Sequence, residues 1–247
     1  MTALLEVRDV HKSFGGVHAV RGVSFDVHAG EILGVIGPNG SGKSTLFNCI
    51  LGQLAPTSGR VRVDGRDVTG LRPSQLNRLG VSRTFQLLQV FPQLTVRDNL
   101  ILAGQEHRGS RLGRLFGASD AGVGPDAERM LDFFRLRRLA DERAGSLSYG
   151  QQKLLDAAMA FMAGSRLVLL DEPAGGVNPT MLVDLRERLE ALNRERLATF
   201  VVIEHNMEFV MALCSRLIVL AEGRIIAEGK PDEVRRDPGV IEAYLGH

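Results

Sequence analysis

The sequence predicts an α/β fold with a mostly parallel sheet that is covered by helices on both faces. Short apolar runs have the length and composition of buried strands at residues 31–36, 166–170 and 199–203. Helical periodicity is found between and beside these runs, at residues 43–53, 151–162 and 181–194. Strands that alternate with helices pair in parallel, because each helix carries the chain back to the edge where the next strand begins.

Alternating patterns predict antiparallel strands beside this sheet. Apolar and polar residues alternate at 4–10 and 19–27, which is typical of half-buried strands. Asp64-Gly65 is a hairpin signal between strands at 60–63 and 66–68. A second hairpin is expected between strands at 217–221 and 225–227. The remaining predicted elements are a strand at 81–86 and helices at 94–102, 126–139, 208–213, 232–236 and 240–245.

Composition limits the classes of partner. The chain has 247 residues and is 44% hydrophobic, enough for the core of one large domain. Its 30 basic and 29 acidic residues give a net charge of +1, which argues against nucleic acid as a partner. Apolar runs are shorter than the roughly 18 residues that span a bilayer, and no secretory leader is visible. Cys49 and Cys214 lie in apolar segments and are predicted to be buried free thiols, as in a reducing compartment.

The segment from Gly104 to Gly124 has a character of its own. It is rich in Gly and Ser, with basic residues at Arg108, Arg111 and Arg114. A solvated, flexible connection is one interpretation of this composition. A contact with lipid headgroups or a partner is the other, because apolar side chains interleave with the arginines at Leu112, Leu115 and Phe116.

A glycine-rich loop between the strand at 31–36 and the following helix carries the strongest chemical signal. We call residues 37–44 the phosphate loop, because they match G-x-x-x-x-G-K-[ST] in full. Glycines let successive N–H groups point at phosphate oxygens beside a helix N-terminus, and the lysine reaches the β- and γ-phosphates. The hydroxyl of Ser44 is a candidate Mg²⁺ ligand. The candidate ATP-binding residues are Gly37, Pro38, Asn39, Gly40, Ser41, Gly42, Lys43, Ser44 and Thr45.

Two carboxylates follow the apolar strand at 166–170. The C-terminal ends of parallel strands border the ligand crevice of an α/β sheet. Together with a phosphate loop, Asp171 is predicted to hold the Mg²⁺ shell and Glu172 to polarise the attacking water.

Residues 147–152, the signature segment, read Leu-Ser-Tyr-Gly-Gln-Gln, and the chain here resembles the ATP-binding-cassette (ABC) ATPases. The family signature is Leu-Ser-Gly-Gly-Gln, so Tyr149 departs from it. The resemblance implies that Ser148, Gly150 and Gln151 lie over the γ-phosphate of ATP held by a second subunit. An ordinary capping box, with Ser148 at the helix N-cap, is compatible with this role, because capping and anion binding use the same amides.

The resemblance covers residues 4 to 247 and implies a P-loop NTPase ABC-ATPase fold. It combines a mostly parallel core sheet, an antiparallel β-subdomain and a helical subdomain. We expect one ABC nucleotide-binding domain over residues 1–247, with the catalytic core at about 1–86 and 164–247 and the helical subdomain at about 87–163.

Further positions match family motifs in order. The resemblance implies that Gln86 senses Mg²⁺ and the attacking water and joins the catalytic and helical lobes. It implies that His205 is the switch histidine after the last core strand. Asn178 replaces the family's usual Asp in the segment that crosses the dimer interface. Phe14 stands where the family places an aromatic ring against adenine, although a core Phe is an equal alternative.

Some segments narrow the resemblance to the ATP-binding subunits of branched-chain amino acid importers, namely 46–48, 83–86, 149–152, 203–207 and 242–246. This implies an ATP-hydrolysing subunit, peripheral on the cytoplasmic face of the cell membrane. Its partners would be a second ATP-binding subunit, identical or related, integral permease subunits and, indirectly, a periplasmic or extracellular binding protein. A soluble ABC ATPase, for example for iron–sulfur assembly, and the ATPase of a lipopolysaccharide exporter remain alternatives. A small-molecule kinase is disfavoured, because it would have no use for the signature segment.

Overall fold

The computed structural model describes residues 3–84, 90–105, 123–162, 165–195 and 198–245. Within these ranges the strands form two sheets, one of six strands and one of four. The six-stranded sheet has the order β10-β9-β3-β8-β7-β6, and all its neighbouring pairs are parallel except the β9–β10 hairpin. Its strands are β3 Ile32–Ile36, β6 Val81–Thr84, β7 Leu167–Asp171, β8 Thr199–Ile203, β9 Arg216–Ala221 and β10 Arg224–Gly229.

The four-stranded sheet is antiparallel and has the order β2-β1-β4-β5. Its strands are β1 Ala3–Phe14, β2 Val17–His28, β4 Ser58–Val63 and β5 Arg66–Asp67. Both sheets agree with the predicted α/β class and with the three expected antiparallel pairings, which are β1–β2, β4–β5 and β9–β10.

The described helices lie around and between these sheets. They are α1 Lys43–Ile50, α2 Pro73–Arg78, α3 Val96–Gln105, α4 Val123–Phe133, α5 Tyr149–Met162, α6 Pro179–Arg194, α7 Met207–Leu213, α8 Pro231–Val234 and α9 Pro238–Leu245. None of the helices within the described ranges is long and apolar enough to cross a membrane.

Alternate side chains of the parallel strands enter two separate cores. In β8, Phe200 and Val202 join the core shared with α3, α4, α5 and α6. Val201 and Ile203 join the core on the other face, which includes α1 and the four-stranded sheet. All five residues of β8 are buried, as expected for a central strand with both faces covered.

Some predicted boundaries change. The helix expected at 126–139 is instead α4, followed by a short 3₁₀ turn at Arg137–Leu139, because Arg135 takes a left-handed conformation at φ 55° that ends helical geometry. The predicted limits of the helical subdomain, near 86 and 163, lie outside the described residues, so that division stays a prediction. Most of the Gly104–Gly124 segment also lies outside them. Cys49 and Cys214 are free and buried, as predicted.

Candidate functional site

The phosphate loop connects β3 to α1 by a tight path that only glycine can take. Gly42 has φ 99°, and a Cβ atom built on it would lie 2.2 Å from the carbonyl oxygen of Ala19. A Cβ on Gly37 would lie 2.0 Å from the carbonyl oxygen of Leu220. The glycines predicted from the motif are therefore required by backbone packing against β2 and β9 as well as by phosphate access.

Lys43 begins α1 and folds back over the phosphate loop. Its ammonium donates to the carbonyl oxygens of Gly37, at 2.7 Å, and Pro38, at 2.9 Å. Burial lowers the pKa of Lys43, and the negative charges of Glu172 and Asp171 partly oppose this effect. The first backbone N–H groups of α1 and this ammonium therefore lie at the same end of the helix, and together they suit the binding of an anion. Ser44 is exposed at the same helix end.

Asp171 ends β7 and is 3% exposed. Its carboxylate accepts a hydrogen bond from the guanidinium of Arg83 on the adjacent strand β6. Arg83 also donates to Asn48 Oδ1 at 2.9 Å and Gln53 Oε1 at 2.8 Å, which lie in and just after α1. The sequence alone assigned Arg83 no role, although an arginine in a strand that becomes buried requires an acidic partner.

Glu172 and His205 come together at the ends of two neighbouring parallel strands. Glu172 follows β7 in a left-handed conformation at φ 49°, and its N–H donates to the carbonyl oxygen of Ile203, at 2.9 Å. His205 Nδ1 lies 3.7 Å from Glu172 Oε1. The Glu172 side chain is 31% exposed and the His205 side chain is 66% exposed, so solvent or a ligand can reach both. A strained non-glycine residue at a strand end is typical of a functional position.

Glu204 directly precedes His205 in the chain and is fully buried, with 0% of its surface exposed. One carboxylate oxygen accepts from the N–H of Ala174, at 2.6 Å. The other accepts from the N–H groups of His205 and Asn206, each at 2.9 Å. In the sequence Glu204 stands out only as part of the segment 203–207, so its contacts were not predicted.

The signature segment forms the N-terminus of α5. Ser148 N donates to Gln151 Oε1 at 2.9 Å, and Gln151 N donates to Ser148 Oγ at 3.4 Å, so the predicted capping box is confirmed. Ser148 is exposed, whereas Gly150 is buried against Met181. The Tyr149 ring lies against Gly176, where an added Cβ would be 2.8 Å from Tyr149 Cε1.

Three other predicted positions have different outcomes. Asn178 caps α6, accepting from Met181 N at 2.9 Å, which is a structural use of the side chain. Phe14 is 47% exposed at the end of β1, which excludes the alternative of a core Phe. Lys12 Nζ lies 5.1 Å from the centre of the Phe14 ring. Gln86 lies outside the described residues.

The carboxyl ends of three adjacent strands therefore assemble the site. Val35 of β3 and Asp171 of β7 both pair with Ile203 of β8, on opposite sides. Asp171 is the last residue of β7, and the phosphate loop, Glu172 and His205 follow close after the ends of the three strands. The signature segment belongs instead to the helical layer, where its exposed Ser148 can face a second molecule.

Comparisons with known proteins agree with this arrangement. A family model described as ABC transporter matches residues 20–175, and one described as branched-chain amino acid ATP-binding cassette transporter matches residues 224–247. The high-affinity branched-chain amino acid transport ATP-binding protein BraF of Pseudomonas aeruginosa is 38% identical over 98% of each chain. The corresponding protein LivG of Escherichia coli is 35% identical, also over 98% of each chain.

Solved structures with a similar fold include a nucleotide-free ATP-binding cassette from an ABC transporter. It has a TM-score of 0.87 and 35% identity and covers all of both chains. An ATP-binding cassette of an ABC transporter in its ADP conformation has a TM-score of 0.87 and 36% identity, again over all of both chains.

Proposed function

The chain belongs to the ABC transporter family, and on that premise we propose that it is the ATPase subunit of an importer of branched-chain or related amino acids. The observation that carries the proposal is that the phosphate loop, Asp171, Glu172 and His205 all lie at one edge of the sheet, at the carboxyl ends of three paired strands. ATP hydrolysis is the activity that this edge supports. The importer assignment is supported by the match of residues 224–247 and by the names of the relatives.

ATP would be held by its phosphates. The N–H groups at the start of α1 and the ammonium of Lys43 supply the positive potential that the β- and γ-phosphates require. The exposed ring of Phe14 offers a stacking surface for adenine, worth about 1–3 kcal/mol for such contacts.

Mg²⁺ fits the donor set beside the loop. The cation prefers oxygen ligands, and the hydroxyl of Ser44 and the carboxylate of Asp171 are both oxygen donors. Bound there with the phosphates, it would neutralise charge that develops during phosphoryl transfer. Gln86, by its place in the sequence, is proposed to contact the same ion.

Glu172 is proposed to accept the proton of the attacking water, with His205 orienting it. Both are solvent-accessible, and the 3.7 Å between His205 Nδ1 and Glu172 Oε1 leaves them close enough to share one water. Glu172 has a left-handed backbone directly after β7, and its side chain is 31% exposed.

A second subunit completes each site in this proposal. Ser148 is exposed at the N-terminus of α5, and together with Gly150 and Gln151 it would bind the γ-phosphate of ATP held by the partner subunit. Closure over two ATP molecules would then shift the permease between its open states. We further propose that the catalytic core comprises about 1–86 and 164–247, with the helical subdomain between them. The subunit would lie on the cytoplasmic face of the cell membrane, held there by permease subunits.

The first test asks whether Glu172→Gln forms a dimer when ATP is present. Size-exclusion chromatography with light scattering measures the mass of the particle. Slowed hydrolysis should trap a dimer at saturating Mg²⁺–ATP, with no dimer in the absence of nucleotide. Glu195→Gln, an exposed acid at the end of α6, is the matched control and should behave as the wild-type chain. A Glu172→Gln chain that stays monomeric, or hydrolyses ATP at the wild-type rate, would contradict the proposal.

The second test addresses the substrate. The chain would be purified with its permeases and reconstituted in vesicles, and hydrolysis measured with a binding protein loaded with leucine, isoleucine or valine. Stimulation by these loaded forms, and none by the empty binding protein, is expected. A complex that responds only to chemically unrelated solutes would reject the amino acid assignment and leave the ATPase assignment intact.

A further inference from the structure

A fully buried carboxylate stands behind the two residues that are proposed to handle the attacking water. Glu204 occupies the position between β8 and His205, and its side chain turns into the protein while that of His205 turns out. Burying a carboxylate costs free energy unless hydrogen bonds replace its water. Three backbone N–H groups provide that replacement here, so the charge is accommodated by the chain itself.

The three hydrogen bonds join two separate stretches of chain. The N–H of Ala174 lies in the crossing segment, residues 174–178, just beyond Glu172. Gly175 N in turn donates to the carbonyl oxygen of Glu172, at 3.1 Å, which closes the turn that follows this residue. The N–H groups of His205 and Asn206 belong to the turn that carries the histidine.

The stretch that carries His205 is also fixed on its far side. Asn206 caps α7 by accepting from Phe209 N, at 3.0 Å, so the turn that carries His205 is held at both ends. The Glu204 carboxylate thus defines how far the Glu172 turn stands from the His205 turn. His205 Nδ1 lies 3.7 Å from Glu172 Oε1 and 4.0 Å from Glu204 Oε2, which places the ring over this shared anchor.

We propose that Glu204 is a positioning residue for ATP hydrolysis, whose carboxylate sets the separation of Glu172 and His205. The inference rests on the proposed function, because it assumes that both neighbours act on the attacking water. Glutamine cannot replace the carboxylate, since its NH₂ group would face an N–H donor at Ala174 or at His205 and Asn206. Aspartate keeps the charge but is one methylene shorter and cannot span both stretches.

The experiment measures steady-state ATP hydrolysis by the full chain, with kcat and KM determined separately. Glu204→Gln should lower kcat by about tenfold to a hundredfold, as expected when reacting groups are displaced by about 1 Å. KM should change by less than about threefold, because the phosphate loop does not contact this carboxylate. Glu208→Gln, the same substitution at an exposed site on α7, is the control and should leave kcat within about twofold.

A double variant separates positioning from general loss of structure. If Glu204 acts through His205, then Glu204→Gln should cost less than about threefold in kcat when it is added to His205→Ala. Equal fold-losses in the two backgrounds, or a kcat for Glu204→Gln within twofold of wild type, would overturn the proposal. Should Glu204→Gln fail to fold, the same comparison is made with Glu204→Asp. Wild-type hydrolysis by both His205→Ala and Glu172→Gln would instead reject the proposed function.

Discussion

The pairing of Arg83 with Asp171 gives the sharpest stability prediction, and Arg83→Met is the perturbation. The side chains are only 12% and 4% exposed, so removing the guanidinium leaves a carboxylate that water barely reaches. Loss of one partner from a buried ion pair costs about 3–5 kcal/mol, whereas the hydrogen bonds to Asn48 and Gln53 add about 1 kcal/mol or less each. Since Gln53 is exposed and can be rehydrated, we expect a total of about 4 kcal/mol.

Urea unfolding of the nucleotide-free chain, followed by circular dichroism, measures this cost as a lower midpoint at an unchanged m-value. At about 2–4 °C per kcal/mol for a chain of this size, the thermal midpoint should fall by about 8–16 °C. The double variant Arg83→Met/Asp171→Asn should regain about 2 kcal/mol, because the stranded charge is then removed.

Arg166→Met is the matched control for this prediction. Arg166 pairs with Asp64 at 3.2 Å, but those side chains are 60% and 63% exposed, so the loss should stay below about 1 kcal/mol. The reasoning fails if Arg83→Met costs no more than Arg166→Met. It also fails if the double variant is no more stable than Arg83→Met alone.

Two further predictions concern the signature segment and a buried thiol. Tyr149→Gly should lower the free energy of unfolding by about 1–2 kcal/mol, because it removes the ring that packs on Gly176 and places glycine in the first turn of α5. Tyr149→Phe keeps the ring and should lower the free energy of unfolding by less than about 0.5 kcal/mol when both variants are measured by urea unfolding. Equal losses in the two variants would refute the packing role. Burial raises the pKa of the Cys214 thiol to about 12. The Cys214 thiol ionises near pH 8.5 in the unfolded chain but stays protonated in the folded chain. Its contribution to the free energy of unfolding is therefore complete below about pH 8.5 and is lost at about 1.4 kcal/mol per pH unit as the pH rises towards 12. Cys214→Ala should lack that slope between pH 8.5 and 10, and identical slopes for the two chains would contradict it.

Much of this architecture could be predicted from local patterns. The phosphate loop was found by its spacing alone, and the structure shows that steric contacts at Gly37 and Gly42 enforce that spacing. The capping box at Ser148 and Gln151 was also predictable, because it depends on residues three apart in one helix. The buried strands were recognised because both faces of the sheet are covered, which removes any alternation of polar residues.

Contacts between distant segments could not be predicted in the same way. Arg83 and Asp171 meet because β6 and β7 pair in the sheet, although the two residues are 88 positions apart in the chain. Glu204 likewise appears in the sequence as one acid beside a histidine, and its hydrogen bond from the N–H of Ala174 becomes apparent only when the turn after β7 is placed beside the turn after β8. The end of α4 was misjudged because helical periodicity continues past Arg135, although the backbone there is left-handed.

Tyr149 shows how a departure from a family motif can be accommodated by its surroundings. A tyrosine in place of glycine adds a ring at the exposed end of α5, and that ring needs an adjacent surface. Gly176 supplies the surface: its φ of 71° suits glycine, and any Cβ there would meet the ring at 2.8 Å. Lys153 lies on the same ring, with Nζ 5.7 Å from its centre. The ring therefore joins the signature segment to the crossing segment of the same chain and leaves Ser148 exposed, which is compatible with the contact to a neighbouring subunit that we propose for it.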